Sequence, residues 1–139
     1  MTEHAFVLDA SAAVALALSD EDGPSVADIV AQAIDAGRRF LVPPLFWYEV
    51  GNSILVAERR GRLDGYGATR VAADLSRLPI DTDWSLADEV RSAIASLAGE
   101  HDLTYYDAAY LELALRTRLK LKTLDRHLLS LQGHYESIF

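Results

Sequence analysis

His4-Ala-Phe-Val-Leu8 is a short apolar run that stops at Asp9, and the small, alanine-rich stretch Ser11 to Leu18 follows almost at once. An apolar run of this length, without polar alternation, reads as a strand buried on both faces. Alanine side chains take little room, so the next segment suits a helix packed close against a sheet. A strand handing over directly to a helix is the opening of a parallel α/β layout, and the rest of the chain continues it.

Working outward, Asp20-Glu-Asp-Gly-Pro24 breaks the chain, and Ser25 to Ala36 has helical spacing closed by Gly37. Phe40-Leu-Val42 is a second short strand ended by Pro43-Pro44. A helix is expected from Leu45 to Arg60, stopping at Gly61, and another from Asp64 to Leu78. Leu78-Pro-Ile80 reads as a weak third strand. Trp84 to Leu97 is amphipathic, with Leu86, Val90, Ile94 and Leu97 at helical spacing. Tyr106 to Arg116 reads as a helix, Leu119 to Leu124 as a strand and Asp125 to Leu131 as a short helix. The tail, Tyr135 to Phe139, is a candidate last edge strand. No repeat, low-complexity tract or linker interrupts the sequence, so a single domain over 1–139 is expected. The fold class is α/β, with a central, mostly parallel sheet of four to five short strands covered on both faces.

Composition narrows the functional classes. Half of the 139 residues are hydrophobic, enough for a core. The lack of cysteine excludes disulfides and thiolate metal sites and fits a reducing cytoplasm. Met1-Thr2-Glu3-His4 carries no positive stretch of the kind that opens a signal peptide. The run Ala10 to Leu18 falls far short of the roughly 20 residues that span a bilayer. A cytoplasmic chain without membrane contact is expected. The net charge of −8 by itself argues against a nucleic-acid binder, because phosphate contacts need cations. Ordinary solubility charge is the simplest source. Carboxylates gathered around a cation would account for part of it.

In open parallel sheets, ligand chemistry sits beyond the carboxyl ends of the strands. Asp9 follows the first strand and Asp125 the strand Leu119 to Leu124. Asp107 lies near the start of the helix before that strand, and Glu49 one turn into the helix after the second strand. All four map to one rim of one sheet. Each also has an ordinary structural use. Asp9 and Asp125 are good helix caps, and Thr104-Tyr-Tyr-Asp107 has the outline of a capping box. Glu49, set among bulky apolar neighbours, is harder to explain that way. Carboxylates crowded together cannot all stay ionised without a cation, and hard oxygen ligands select Mg²⁺ or Mn²⁺.

Four segments carry a family resemblance: Val7-Leu-Asp-Ala-Ser-Ala-Ala-Val14, Val42-Pro-Pro-Leu-Phe-Trp-Tyr-Glu-Val-Gly-Asn52, Leu103-Thr-Tyr-Tyr-Asp-Ala-Ala-Tyr-Leu-Glu-Leu-Ala114 and Leu121-Lys-Thr-Leu-Asp-Arg-His-Leu128. In this order and spacing the chain resembles PIN-domain ribonucleases, and more closely the VapC-type toxins of bacterial toxin–antitoxin pairs. The resemblance implies a three-layer α/β/α sandwich and a magnesium-dependent endoribonuclease. It puts Asp9, Glu49, Asp107 and Asp125 on the family's acidic quartet, Ser11 and Thr123 on assisting hydroxyl positions, and Asn52 on the polar position one turn after the glutamate. Asp9 and Asp107 are expected as direct metal ligands, with Glu49 and Asp125 positioning water or a second ion. It also implies a homodimer held inactive by a VapB-type antitoxin, with DNA met only through that antitoxin.

For RNA contact, Arg116, Arg118, Lys120, Lys122 and Arg126 lead up to and past Asp125, and Arg59, Arg60 and Arg62 cluster after Glu49's helix. A cationic rim gripping phosphates and a solvated helix end are equally good readings. Trp47, Tyr105 and Tyr106 are candidates to stack on bases, though aromatics more often pack in cores. Apolar positions Val26, Ile29, Val30, Ile34, Leu55 and Val56 are core by default and a partner groove otherwise. Rival functions are a PIN-fold nuclease of RNA maturation, a phosphoaspartate enzyme using Asp9 and a non-catalytic interaction module. The phosphoaspartate reading lacks a second acidic residue at Asp9's strand end and leaves Glu49 unexplained.

Overall fold

The computed structural model describes residues 3–18 and 22–139. Of the break expected at 20–24, Asp20 and Glu21 lie outside these residues, as does the Met1-Thr2 part of the N-terminal reading. Strands are β1 His4–Leu8, β2 Arg39–Val42, β3 Ile80–Thr82 and β4 Lys120–Lys122. Helices are α1 Ala10–Ala17, α2 Gly23–Asp35, α3 Leu45–Arg59, α4 Gly65–Ser76, α5 Asp88–His101, α6 Tyr105–Thr117 and α7 Arg126–Leu129. The sheet runs in the order β3-β2-β1-β4 and every pairing is parallel. Helices α1 to α4 pack among themselves, while α5 packs on α6 and α6 on β1 and β4. The result is the expected α/β/α sandwich.

The order of strands matters more than their number. The chain moves from β1 to β2 to β3 in one direction and then returns to lay β4 on the opposite side of β1. That reversal opens a crevice past the carboxyl ends of β1 and β4, where open parallel sheets bind ligands. Register fixes the two lips: Val7 sits beside Leu121 and Leu8 beside Lys122. The amide of Asp9 then donates to the carbonyl of Lys122 at 2.9 Å, carrying the pairing one residue past β1.

Packing explains the alanines. Ala10, Ala12, Ala13 and Ala15 of α1 are all buried, and α1 packs chiefly on α2 and α3. The approach is closest at Gly23, where an added Cβ would stand 2.7 Å from the carbonyl oxygen of Ala15. Val7, Leu8, Phe40, Val42, Phe46, Tyr110, Leu111 and Leu113 fill the central core. Val26 and Val30 join it, so these two are not partner surface. Ile34 and Leu55 do stay exposed.

Three sequence expectations need correction. The third strand begins at Ile80, because Pro79 has no amide to donate; its carbonyl instead accepts from Phe40 N at 2.9 Å. Helix α5 begins four residues later than Trp84 and runs on to His101. Asp83 accepts from the amide of Ser85 at 2.7 Å, a local turn that competes with helix, and this leaves Trp84 and Leu86 exposed. The tail forms turns and no fifth strand among the described residues. One bond, from Leu121 N to Ile138 O at 2.6 Å, and the buried Ile138 side chain fasten it beside β4.

Gly23→Ala is expected to lower stability by about 1–3 kcal/mol, since backbone must move. Gly99→Ala, in the exposed interior of α5 with nothing within 4 Å of the new methyl, is expected to raise it by about 0.5–1 kcal/mol. Chemical denaturation of the two variants checks both signs.

Candidate functional site

Asp9 stands at the N-cap position of α1, yet its side chain makes no cap bond. The carboxylate turns instead toward β4. Ser11 Oγ donates to Asp9 Oδ2 at 2.8 Å, and Thr123 Oγ1 donates to the same oxygen at 2.6 Å. Each hydroxyl also accepts a backbone amide past β4: Leu124 N to Ser11 at 2.9 Å and Asp125 N to Thr123 at 2.9 Å. Two short polar side chains thus stitch the ends of two strands together through one carboxylate oxygen. Among the described residues no hydrogen bond reaches Oδ1, and no fully enclosed side-chain oxygen or nitrogen lacks a partner, so Oδ1 keeps some exposure.

Around it stand the other three acids. Asp125 caps α7, its Oδ1 accepting from Leu128 N at 3.0 Å. Thr104 caps α6 by accepting from the amide of Asp107 at 3.1 Å, which sets Asp107 in the first turn. The capping uses of Asp125 and Thr104 are therefore real and coexist with a shared site. Asp107, Asp125 and His127 each bring one ligand atom within 4.8 Å of the others. Glu49 reaches in from α3, half-buried, with Oε1 accepting the hydroxyl of Tyr110 at 2.7 Å.

Electrostatics binds the four into one unit. Burial pushes the Asp9 carboxyl above its ordinary range; the Thr123 and Ser11 hydroxyls pull it back, and the charges of Asp107 and Asp125 push it up again. Burial likewise raises Glu49, opposed by Tyr110 and reinforced by the charges of Asp9, Asp107 and Asp125. Asp107 is raised by burial and by Asp125, while Thr104 and the charge of His127 pull it down. Such a group is short of positive charge. Its donors are all hard oxygens apart from His127, and Asp9 Oδ1 is unengaged, so the residues fit a divalent cation.

Two neighbours escaped the sequence reading. Tyr110 is wholly buried, and burial together with the Asp9 charge and the Glu49 bond holds it firmly in the neutral, donating form. Its position one helical turn after Asp107 was the available signal. His127 lies in the first turn of α7, two residues after Asp125, with Nδ1 4.0 Å from that carboxylate.

The expected cations divide. Arg126 is exposed beside Asp125. Arg116 is not free for phosphate: it pairs with the buried Glu112 at 2.7 Å and with Asp83 at 2.9 Å. Arg118, the left-handed cap of α6, lies before β4 and so at the far end of that strand from Asp125. The Lys122 side chain is half-buried beside a cavity lined by Phe6, Leu129 and Phe139. Asn52 is exposed and shares a cleft with Arg60 and Arg62. An apolar cleft of about 270 Å³ is bordered by Tyr48, Tyr105 and Tyr106, chain neighbours of Glu49 and Asp107, and by Asp83, Glu112 and Arg116. Trp47 does not line it; its Nε1 donates to Thr82 Oγ1 at 2.9 Å.

Comparison with known proteins agrees with this architecture. The PIN domain family matches residues 6–133. This chain belongs to the PIN-domain family. A protein named Ribonuclease VapC3, from Pyrobaculum aerophilum, is 36% identical over 126 residues, covering 88% of this chain and 90% of that one. Exonuclease VapC9 of the same organism is 37% identical over 84 residues, 60% of this chain and 59% of its own length. A crystal structure of a further Pyrobaculum aerophilum protein superposes with a TM-score of 0.67 at 30% identity, covering 94% of this chain and 86% of that one. The PIN chain described here is thus of VapC type along most of its length.

The raised Asp9 value has a sign that can be measured. Folding favours the protonated acid, so stability contributed at low pH is lost as pH climbs through 3.8, the ordinary value, and on past the raised one. Asp9→Asn keeps an acceptor oxygen for the two hydroxyls and removes the charge. With chelator present, its Tm is expected to exceed that of the parent by a margin that grows from acid to neutral pH. A margin independent of pH would contradict the assigned strain. Tyr110→Phe is expected to cost about 1–3 kcal/mol, because a buried charge-assisted bond is lost, and to raise the Glu49 pKa further in an NMR titration.

Proposed function

We propose that this protein is a divalent-metal-dependent endoribonuclease acting as the toxin of a VapBC-type toxin–antitoxin pair, built as a single PIN domain over 1–139. The observation that carries the reading is the convergence of Asp9, Glu49, Asp107 and Asp125 on the β1/β4 crevice, with three of the four strained by burial and by each other's charge. The ribonuclease name of the relative at 36% identity supports RNA as substrate.

In this reading Asp9 and Asp107 hold Mg²⁺, or Mn²⁺, directly, and Glu49 and Asp125 complete its surroundings or a second ion's. A divalent ion bound there supplies positive charge to a scissile phosphate and acidifies water. The chain's own residues do the rest. Ser11 and Thr123 keep Asp9 Oδ2 occupied, so that Oδ1 is the oxygen presented. Tyr110 fixes the rotamer of Glu49. His127, exposed to solvent, brings Nδ1 to 4.0 Å from the Asp125 carboxylate. Arg126 is the cation best situated to meet phosphate, and Tyr105 and Tyr106 border the cleft in which an unstacked base would lie. Lys122 and Asn52 are secondary contacts, and Arg118 serves only a long substrate. Arg116 is withdrawn from this role, since Glu112 and Asp83 already neutralise it.

A VapB-type antitoxin and a homodimer complete the proposal, with DNA reached only through the antitoxin. Ile34 and Leu55 are among the exposed apolar side chains open to such contacts. A cytoplasmic location fits; among the described residues no helix is long and apolar enough to cross a membrane.

The deciding experiment offers the protein a circular, unstructured RNA with magnesium. Linearisation is expected, chelator abolishes it, and Asp9→Asn or Asp107→Asn lowers the rate by at least about 100-fold, as for loss of a main electrostatic element. An intact circle alongside degradation of linear RNA would replace the endonuclease with an exonuclease. Activity that survives both substitutions would refute the site.

A further inference from the structure

A second cluster of metal-ligating side chains lies apart from the acidic quartet. Glu100 and His101 close α5, and His134 comes from the turns near the C-terminus. Each of the three brings one ligand atom within 4.8 Å of the others. His101 Nε2 lies 2.6 Å from the hydroxyl of Tyr135 and 3.9 Å from Glu100 Oε1. The His101 side chain is only 8% exposed, whereas Glu100 is 62% exposed, so one ligand is anchored and another can swing. The two imidazole rings meet edge to face at 5.1 Å.

We infer that Glu100, His101 and His134 form a binding site for a borderline transition-metal ion, Zn²⁺ by preference, with the Tyr135 hydroxyl or water as a fourth donor. Two imidazoles and one carboxylate are the donor set that Zn²⁺ takes at such sites, whereas Mg²⁺ and Ca²⁺ prefer oxygen alone. The location favours a cation as well, since the last turn of α5 presents its unpaired carbonyls and the negative end of the helix. His134 lies far along the chain from the adjacent pair Glu100 and His101, so only the folded chain assembles all three. Any ion held there stabilises the fold by linkage. The structural consequence is specific. The ion would clamp the C-terminal turns onto the end of α5, next to the short connection into α6, whose first turn carries Asp107. It would act as a brace for the rim that bears the acidic quartet.

The test uses the whole protein with magnesium in excess, so that the acidic site is occupied, and Zn²⁺ as the probe. Imidazole nitrogen NMR is recorded during the titration. One equivalent of Zn²⁺ is expected to shift His101 and His134 together, leave His4 unmoved, and raise Tm. His134→Ala, at an exposed position, is expected to match the parent's Tm in chelator and to lose at least about tenfold in Zn²⁺ affinity. Glu100→Gln, also exposed, should weaken binding in the same direction, and His127→Ala should leave it intact. Zn²⁺ that shifts His127 alone, or that stabilises the parent and His134→Ala equally, overturns the proposal.

Discussion

The structure depends on a single carboxylate oxygen that ends two strands at once. Asp9 Oδ2 accepts from Ser11 and Thr123, and those hydroxyls in turn accept amides of the segment past β4. Nearly the whole chain separates Asp9 from Thr123, and the parallel register of β1 and β4 brings them together. The Thr123 bond is short and buried and the other three are part-buried, so they hold geometry more tightly than surface ion pairs of the same number would. What they hold is an acid whose second oxygen accepts no hydrogen bond among the described residues. The other members of the site are supported in the same economical way, by caps and by one tyrosine hydroxyl.

This arrangement shows why an acidic protein can still be built around phosphate chemistry. The net charge of −8 looks unfavourable for a polyanionic partner. Part of that charge is concentrated where the protein itself resists it, as the upward shifts of Asp9, Glu49 and Asp107 record. A folded chain that keeps ionised acids together against their mutual repulsion has a standing affinity for a small multivalent cation. Arginines elsewhere are mostly spent on structure. Arg116 neutralises Glu112 and Asp83, and Arg39 bridges to Asp81 across β2 and β3.

Much of this was legible from the residues alone. The strands His4–Leu8 and Phe40–Val42 declared themselves because uninterrupted apolar runs ending in a charge or a proline have few other uses. The four acids were legible because each follows a strand or lies within the first turns of a helix, and parallel topology sends those points to one rim. What stayed hidden depends on contacts distant in sequence. The commitment of Arg116 needs Asp83, which no local pattern links to it. Trp84 reads as the start of a helix until the Asp83 turn is seen. The Tyr135 to Phe139 segment has strand-like residues, yet among the described residues its backbone meets the backbone of β4 in one bond, from Leu121 N. Tyr110 reads as ordinary core, and burial alone does not reveal that its hydroxyl holds Glu49.

Manganese titration followed by backbone amide NMR tests the central claim most directly, because a paramagnetic ion broadens signals around the point where it binds. The account predicts that substoichiometric Mn²⁺ erases the resonances of Asp9, Glu49, Asp107 and Asp125 and their immediate neighbours first, and that excess Mg²⁺ restores them. Broadening spread evenly over the acidic surface, or centred away from the β1/β4 crevice, would contradict it.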